Sequence, residues 1–221
     1  MNNWILHIET ATKKCSVALA KNGELIVLRE ILEEKFNHAE KLHVLFEELF
    51  QEAQISWKEL SAISVSKGPG SYTGLRIGVS SAKGLCYALN IPLISVNTLE
   101  IIARQLQVAE GEQIVSMIDA RRMEVFAAIY DNQYNEIKPT YAWIVEENPF
   151  SEGIYHLVGD GAMKCQNILK GENIHYYLEI QHPSAKEMVQ ISYQKYLNKI
   201  FEDVAYFEPF YLKDFHLTQK P

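Results

Sequence analysis

One order of signals runs through both halves of this chain and leaves few folds open to it. The first half begins with three apolar strand runs, "WILHI", "CSVALA" and "ELIVLREI". Asn22-Gly23 separates the second from the third, a strong short-range hairpin signal between apolar runs. Helical spacing follows over 37–53, then a strand at "LSAISVS", a helix over about 71–89 and the short strand "IPLISV". The helix at "NTLEIIARQLQ" closes the half, with Asn97 or Thr98 as N-cap.

The second half repeats the order. "EQIVSMIDA" and "EVFAAIYD" form a hairpin through "RRM", and "YAWIV" is the third strand. "YHLVGDGAMKCQNILK" reads as strand, turn and helix, and "HYYLEI" as a strand. A long helix then opens at Pro183-Ser184, with Ser184 and Glu187 spaced as a capping box. The chain is therefore a duplicated α/β unit jointed near "QVAEGEQ", with an N-terminal lobe over 1–105 and a C-terminal lobe over 106–221. Two-lobed folds of the actin and sugar-kinase type are built from such a duplication.

The stretch "SKGPGSYTGLRIG" between strand and helix decides between two kinds of function. A glycine loop ahead of a helix presents backbone N–H groups and a favourable dipole to an anion. That makes Gly68, Gly70 and Ser71 the candidates for an anion or nucleotide contact. The loop departs from both phosphate signatures: no lysine stands in the Walker position, and the glycine spacing is not GxGxxG. The other reading is close packing. Gly70, Gly74, Gly78 and Ala82 recur every four residues, and a helical glycine costs ~1 kcal/mol relative to alanine unless something approaches closely.

A helical wheel sharpens the second reading. Tyr72, Leu75, Val79, Ala82, Cys86 and Leu89 make one face, and Gly74, Ile77, Gly78, Ser81, Leu85 and Ala88 lie beside it. Together they cover about two-thirds of the circumference, where a single core contact needs ~100°. Such a helix is either sandwiched within its own domain or shared between its sheet and another chain. The preceding helix, with Leu42, Leu45, Phe46, Leu49, Phe50 and Ala53 over roughly 140°, has a moderate surplus of the same kind.

Catalytic constellations do not assemble from the remaining residues. His38 and His43 are five apart, about 140° on a helix, whereas paired helical ligands sit at i, i+4. Glu9, Thr10 and Thr12 end the first strand and suit either a magnesium site or a turn with satisfied hydroxyls. Asp119, Arg121, Arg122 and Glu124 read as a charged hairpin, and Asp160 as part of a turn. Cys15, Cys86 and Cys165 have no metal or redox spacing. A formal net charge of −7 disfavours tight binding to nucleic acid by this chain alone. With neither an apolar leader nor a ~20-residue apolar span, a cytoplasmic location without membrane contact is expected.

In order, "ILHIETAT", "CSVALA", "NHAEKL", "GPGSYTGLRIG", "VNTLE", "IDARRMEVFAAIYD", "VGDG" and "FEPFYLKDF" resemble the TsaB (YeaZ) family over Ile5 to about Phe215. The resemblance implies an actin-like (ASKHA, ribonuclease H-like) duplicated two-lobe fold. It also implies a non-catalytic, cofactor-free subunit of the tRNA threonylcarbamoyladenosine machinery. In that machinery TsaD carries an HxxxH metal site and modifies N6 of adenosine 37 in tRNAs reading codons that begin with A. TsaE, an ATPase, joins the assembly, and tRNA is met only through the complex. The family docks TsaD through two first-lobe helices, here 37–53 and 71–89. The expected interface is Leu42, Leu45, Phe46, Leu49, Tyr72, Gly74, Leu75, Gly78, Val79 and Ala82, which a homodimer would use when TsaD is absent. Leu42 stands where a second metal ligand after His38 would be, and "IETAT" lacks the phosphate-loop glycine of actin-like kinases. The alternative is an actin-like ATPase or phosphotransferase using Glu9 and the glycine loop, or a metallopeptidase-like enzyme using His38.

Overall fold

Strands covered on both faces read as near-continuous apolar runs, and strands with a wet face mix polar with apolar residues. A computed structural model describes residues 2–32 and 38–213. In the first lobe β1 (Trp4–Glu9), β2 (Lys14–Lys21) and β3 (Glu24–Leu32) form an antiparallel meander, followed by α1 (His38–Ala53) and β4 (Leu60–Gly68). Then come α2 (Tyr72–Leu89), β5 (Leu93–Asn97) and α3 (Thr98–Ala103). β1 is buried at every position, His7 and Glu9 included, whereas β3, at the sheet edge, is exposed or half-buried everywhere but Val27. The Asn22-Gly23 turn has φ of 52° and 83°, the double left-handed geometry of a tight hairpin turn.

The second lobe contains β6 (Gln113–Asp119), β7 (Glu124–Tyr130), β8 (Glu136–Ile144), β9 (Tyr155–Val158), α4 (Asp160–Cys165), β10 (Ile174–Tyr176) and α5 (Met188–Leu197). The first sheet runs β3-β2-β1-β4-β5 and the second β8-β7-β6-β9-β10. In each sheet the first three strands are antiparallel, and the last two run parallel to the central one. The same order and polarity twice over is the duplicated actin-like, ribonuclease H-like architecture.

The lobes are joined by exchanged helices. On β1, Trp4, Leu6 and Ile8 pack with α1 and α2, while Ile5, one pleat over, packs with Ala62, Ile94 and the Tyr193 and Tyr196 rings of α5. Leu99, Ile102 and Ala103 of α3 pack against Ile114, Ala128, Tyr130 and Val158 of the second sheet. Each half thus lends its last helix to the other half's sheet. The expected 106–221 lobe accordingly loses α5 to the first sheet. After α5 the chain continues along the first lobe: Glu202 bridges to Leu93, Lys83 Nζ donates to the Phe207 carbonyl at 2.8 Å, and the Phe210 N–H donates to the Lys67 carbonyl at 2.7 Å.

Four local expectations change. The Ser184–Glu187 box does not start a helix: α5 begins at Met188, the Ser184 hydroxyl accepts from the Lys186 N–H, and the Ala185 N–H donates to Ser16 Oγ across the lobes. The strand expected over "HYYLEI" is shorter, at Ile174–Tyr176, and the one at "YAWIV" starts earlier, at Glu136. The helix expected from "NTLEIIARQLQ" ends at Ala103. Asn37, placed at the start of the first helix, and Asp214 and Phe215 of the closing motif lie outside the described residues.

Candidate docking site

The glycine loop is built around the turn that follows β1. Thr10 Oγ1 donates to the Gly74 carbonyl at 2.8 Å, and the Ser71 N–H donates to the Ala11 carbonyl at 2.7 Å. A Cβ on Gly70 would come within 3.0 Å of the Ala11 carbonyl, one on Gly74 within 3.0 Å of the Thr10 carbonyl, and one on Gly78 within 3.0 Å of Thr10 Oγ1. The four-residue glycine stripe therefore admits the lobe's own turn. Close packing is the reading the geometry supports, and the neighbour is intramolecular.

The three residues named for an anion are committed to the chain itself. Gly68 has φ of 109°, a region closed to residues with a β-carbon, and its Cα faces the Phe210 carbonyl. Gly70 faces Ala11, while Ser71 caps α2 by accepting from the Gly74 N–H at 3.3 Å. The Gly68–Pro69 peptide is cis.

Glu9 and His38 brace the same turn. Glu9 is fully buried; its Oε1 accepts from the Ala11 N–H at 2.6 Å, and Oε2 has no partner among the described residues. Burial pushes its carboxyl up to about 7, against the Ala11 hydrogen bond. His38 Nε2 lies 2.7 Å from the Thr12 carbonyl, tying the start of α1 to the turn, whereas His43 is exposed and meets Phe46 edge-on. The two histidines do not converge. Among the described residues no three His, Cys, Asp or Glu side chains gather as a metal-ligand set, and no helix is long and apolar enough to cross a membrane.

The expected interface residues must be corrected. Leu42, Leu45, Phe46, Leu49, Leu75, Val79 and Ala82 are all buried in the first-lobe core, and Gly74 and Gly78 face Thr10. Of the ten, Tyr72 alone is half-buried, with its ring 4.7 Å from that of Tyr211. These residues hold the helices to their own sheet. The apolar face that the wheel offered to a partner is buried within the first lobe.

The outward surface belongs to a different row. On α2, Thr73, Ser80, Gly84, Tyr87 and Ala88 are exposed, and Ile77 and Leu85 are half-buried. Their spacing puts them on one side of the helix. Tyr87 is 85% exposed, and a Cβ on Gly84 would meet no atom within 4 Å. The neighbouring α1 exposes Val44 among Glu40, Glu47, Glu48 and Glu52, with Arg29 of β3 paired to Glu48 at 3.2 Å and to Glu52. Small residues, one free aromatic ring and a weakly polar row suit contact with another helix. The wheel places Ile77, Leu85 and Ala88 of this row on its second face, whereas Gly84 and Tyr87 lie outside both faces it draws.

The family model described as "TsaD: tRNA N6-adenosine threonylcarbamoyltransferase" matches residues 33–149. The TsaB protein of Buchnera aphidicola (subsp. Acyrthosiphon pisum), a tRNA threonylcarbamoyladenosine biosynthesis protein, is 32% identical over 90% of this chain and 92% of its own length. The protein of the same name from Escherichia coli K12 is 29% identical over 95% and 94%. The solved structure of YeaZ from Pseudomonas aeruginosa superposes with a TM-score of 0.84 at 23% identity, covering 95% of this chain and all of that one.

Proposed function

The chain belongs to the TsaB (YeaZ) family, and from that premise we propose that it is a non-catalytic subunit of cytoplasmic tRNA threonylcarbamoyladenosine synthesis, docking a TsaD-type transferase through the outer face of α2. The reaction served is N6-threonylcarbamoylation of adenosine 37 in tRNAs reading codons that begin with A. TsaE joins the docked pair, and without the transferase a second copy of this chain takes the same face.

One observation carries this reading. α2 rests on its sheet and is flanked by the chain after Glu202, while its row of Thr73, Ser80, Gly84, Tyr87 and Ala88 is left open. An aromatic ring so exposed beside small residues is the kind of anchor that interfaces use. The β1 turn supports the non-catalytic part, because its Thr10 hydroxyl and its Ala11 and Thr12 carbonyls are engaged in seating α1 and α2.

The experiment compares two classes of substitution. Ser80→Glu with Tyr87→Glu should abolish co-purification with TsaD and leave stability within about 0.5 kcal/mol, as for ordinary surface changes. Gly74→Leu should instead destabilise the fold by about 3 kcal/mol or more, since its side chain meets the Thr10 backbone. Retained association in the surface double variant would end the proposal.

A further inference from the structure

The hairpin between β6 and β7 turns on two consecutive arginines in left-handed geometry, Arg121 at φ 71° and Arg122 at φ 50°. That conformation is unfavourable for any residue with a β-carbon and persists only where the surroundings impose it. Here they do. The Arg121 N–H donates to Asp119 Oδ1 at 2.7 Å, and the Asp119 N–H donates to Asp160 Oδ1 at 2.9 Å. Lys164 Nζ donates to the Arg122 carbonyl at 2.9 Å, and the Val145 N–H to the Met123 carbonyl at 2.9 Å. Glycine would meet the backbone requirement without strain, so the side chains need a separate reason.

Those side chains are exposed and make no ion pair or hydrogen bond among the described residues. The adjacent carboxylates are already matched, Asp119 by Lys164 and Glu124 by Lys213. Two unmatched guanidinium groups thus stand on a braced tip in a chain of net charge −7. Lys213 also connects the tip to α2. Two residues earlier, Tyr211 packs on Tyr72 at 4.7 Å and accepts from Arg76 Nε at 3.3 Å, with the Arg76 guanidinium 4.1 Å from the Tyr72 ring centre. The segment that reaches Glu124 at the base of the hairpin therefore also carries the partner of the arginine-capped Tyr72 ring.

We propose that Arg121 and Arg122, on their braced tip, form a contact for the backbone phosphates of RNA. Guanidinium forks match phosphate oxygens in pairs, and phosphates recur along an RNA backbone at a spacing that two adjacent arginines can meet. The inference rests on the reading above for its ligand, tRNA, and adds a direct contact where that reading has tRNA met through the complex alone. The tip is an auxiliary contact, consistent with a chain whose overall charge repels nucleic acid.

The test uses R121G/R122G, which keeps the left-handed turn, and R121K/R122K, which keeps its charge. Each is assembled with TsaD, and binding of an unmodified tRNA transcript is measured from about 50 to 200 mM salt. The glycine variant should bind about tenfold more weakly and lower the logarithmic salt slope by about two, near 0.9 per lost phosphate contact. Its melting temperature should rise, while the lysine variant keeps the wild-type slope. An unchanged slope and affinity in R121G/R122G overturns the proposal, as does loss of a protein partner with tRNA binding intact, which would make the tip a site for an acidic protein. Should the wild-type chain not assemble with TsaD, the docking reading fails by itself. Retention of tRNA by the lone chain at low salt, wild type against R121G/R122G, then decides this inference: equal retention overturns it.

Discussion

Glu9 and His7 are neighbours on one face of β1, both fully buried, and burial drives them in opposite directions. Each is pushed toward its neutral form, Glu9 up to about 7 and His7 down to about 4. The signs follow from proton counts. Between about 4.5 and 7 the folded chain holds the Glu9 proton and the unfolded chain does not, so this stabilisation is full below 4.5 and gone above 7. Between 6.5 and about 4 the unfolded chain gains the His7 proton first, so that stabilisation is full above 6.5 and lost as pH falls through 4. Over the shared window the two slopes oppose and the wild-type profile is shallow. Glu9→Gln removes the first effect alone. Its stability relative to wild type should grow from pH 5 to pH 8 by up to about 3 kcal/mol, read by denaturant titration; a pH-independent gap would sink the account. At this scale the sequence was partly legible. Gly70, Gly74 and Gly78 announced a close neighbour by their spacing, yet that neighbour proved to be Thr10 and Ala11, some 60 residues earlier.

The element most fully read from sequence is α2, whose span of Tyr72–Leu89 falls within one residue of the expected 71–89 and whose cap, Ser71, the structure adds. Local chemistry sufficed there because the cap is satisfied within four residues. α5 shows the contrary case: the Ser184 box was outcompeted by the Ala185 N–H reaching Ser16 in the other lobe. The segment after Glu202 had no periodicity to reveal it, since its anchors are long-range: Lys83 on the Ala205 and Phe207 carbonyls, and Arg76 and Tyr72 on Tyr211. This segment braces the flank of α2. Lys83→Met with Tyr211→Ala should therefore speed amide exchange along α2 by about an order of magnitude, a local opening made easier by about 1.4 kcal/mol. Exchange in β1 and β4 should stay slow. Hydrogen exchange with mass spectrometry reads both, and an α2 as protected as in wild type would mean that the segment merely lies on the surface.

At the scale of the molecule, exchange of α3 and α5 makes the halves interdependent. A fragment ending near residue 107 keeps the first sheet but loses α5, uncovering Ile5, Ala62 and Ile94. It should show no cooperative unfolding alone and recover one when mixed with the complementary fragment; a sharp transition in the lone fragment, seen by near-ultraviolet circular dichroism, would contradict this. The duplication, the strand and helix types and the apolar excess of α2 were decided by the residues in order, because periodicity and turn chemistry act within a few positions. Which surface meets each apolar face was decided only in three dimensions. A wheel reports where greasy side chains point around an axis, but not whether a sheet, a returning chain end or solvent lies there. That is why the residues drawn from the wheel as an interface proved to be the ones that seat α2 on its own sheet.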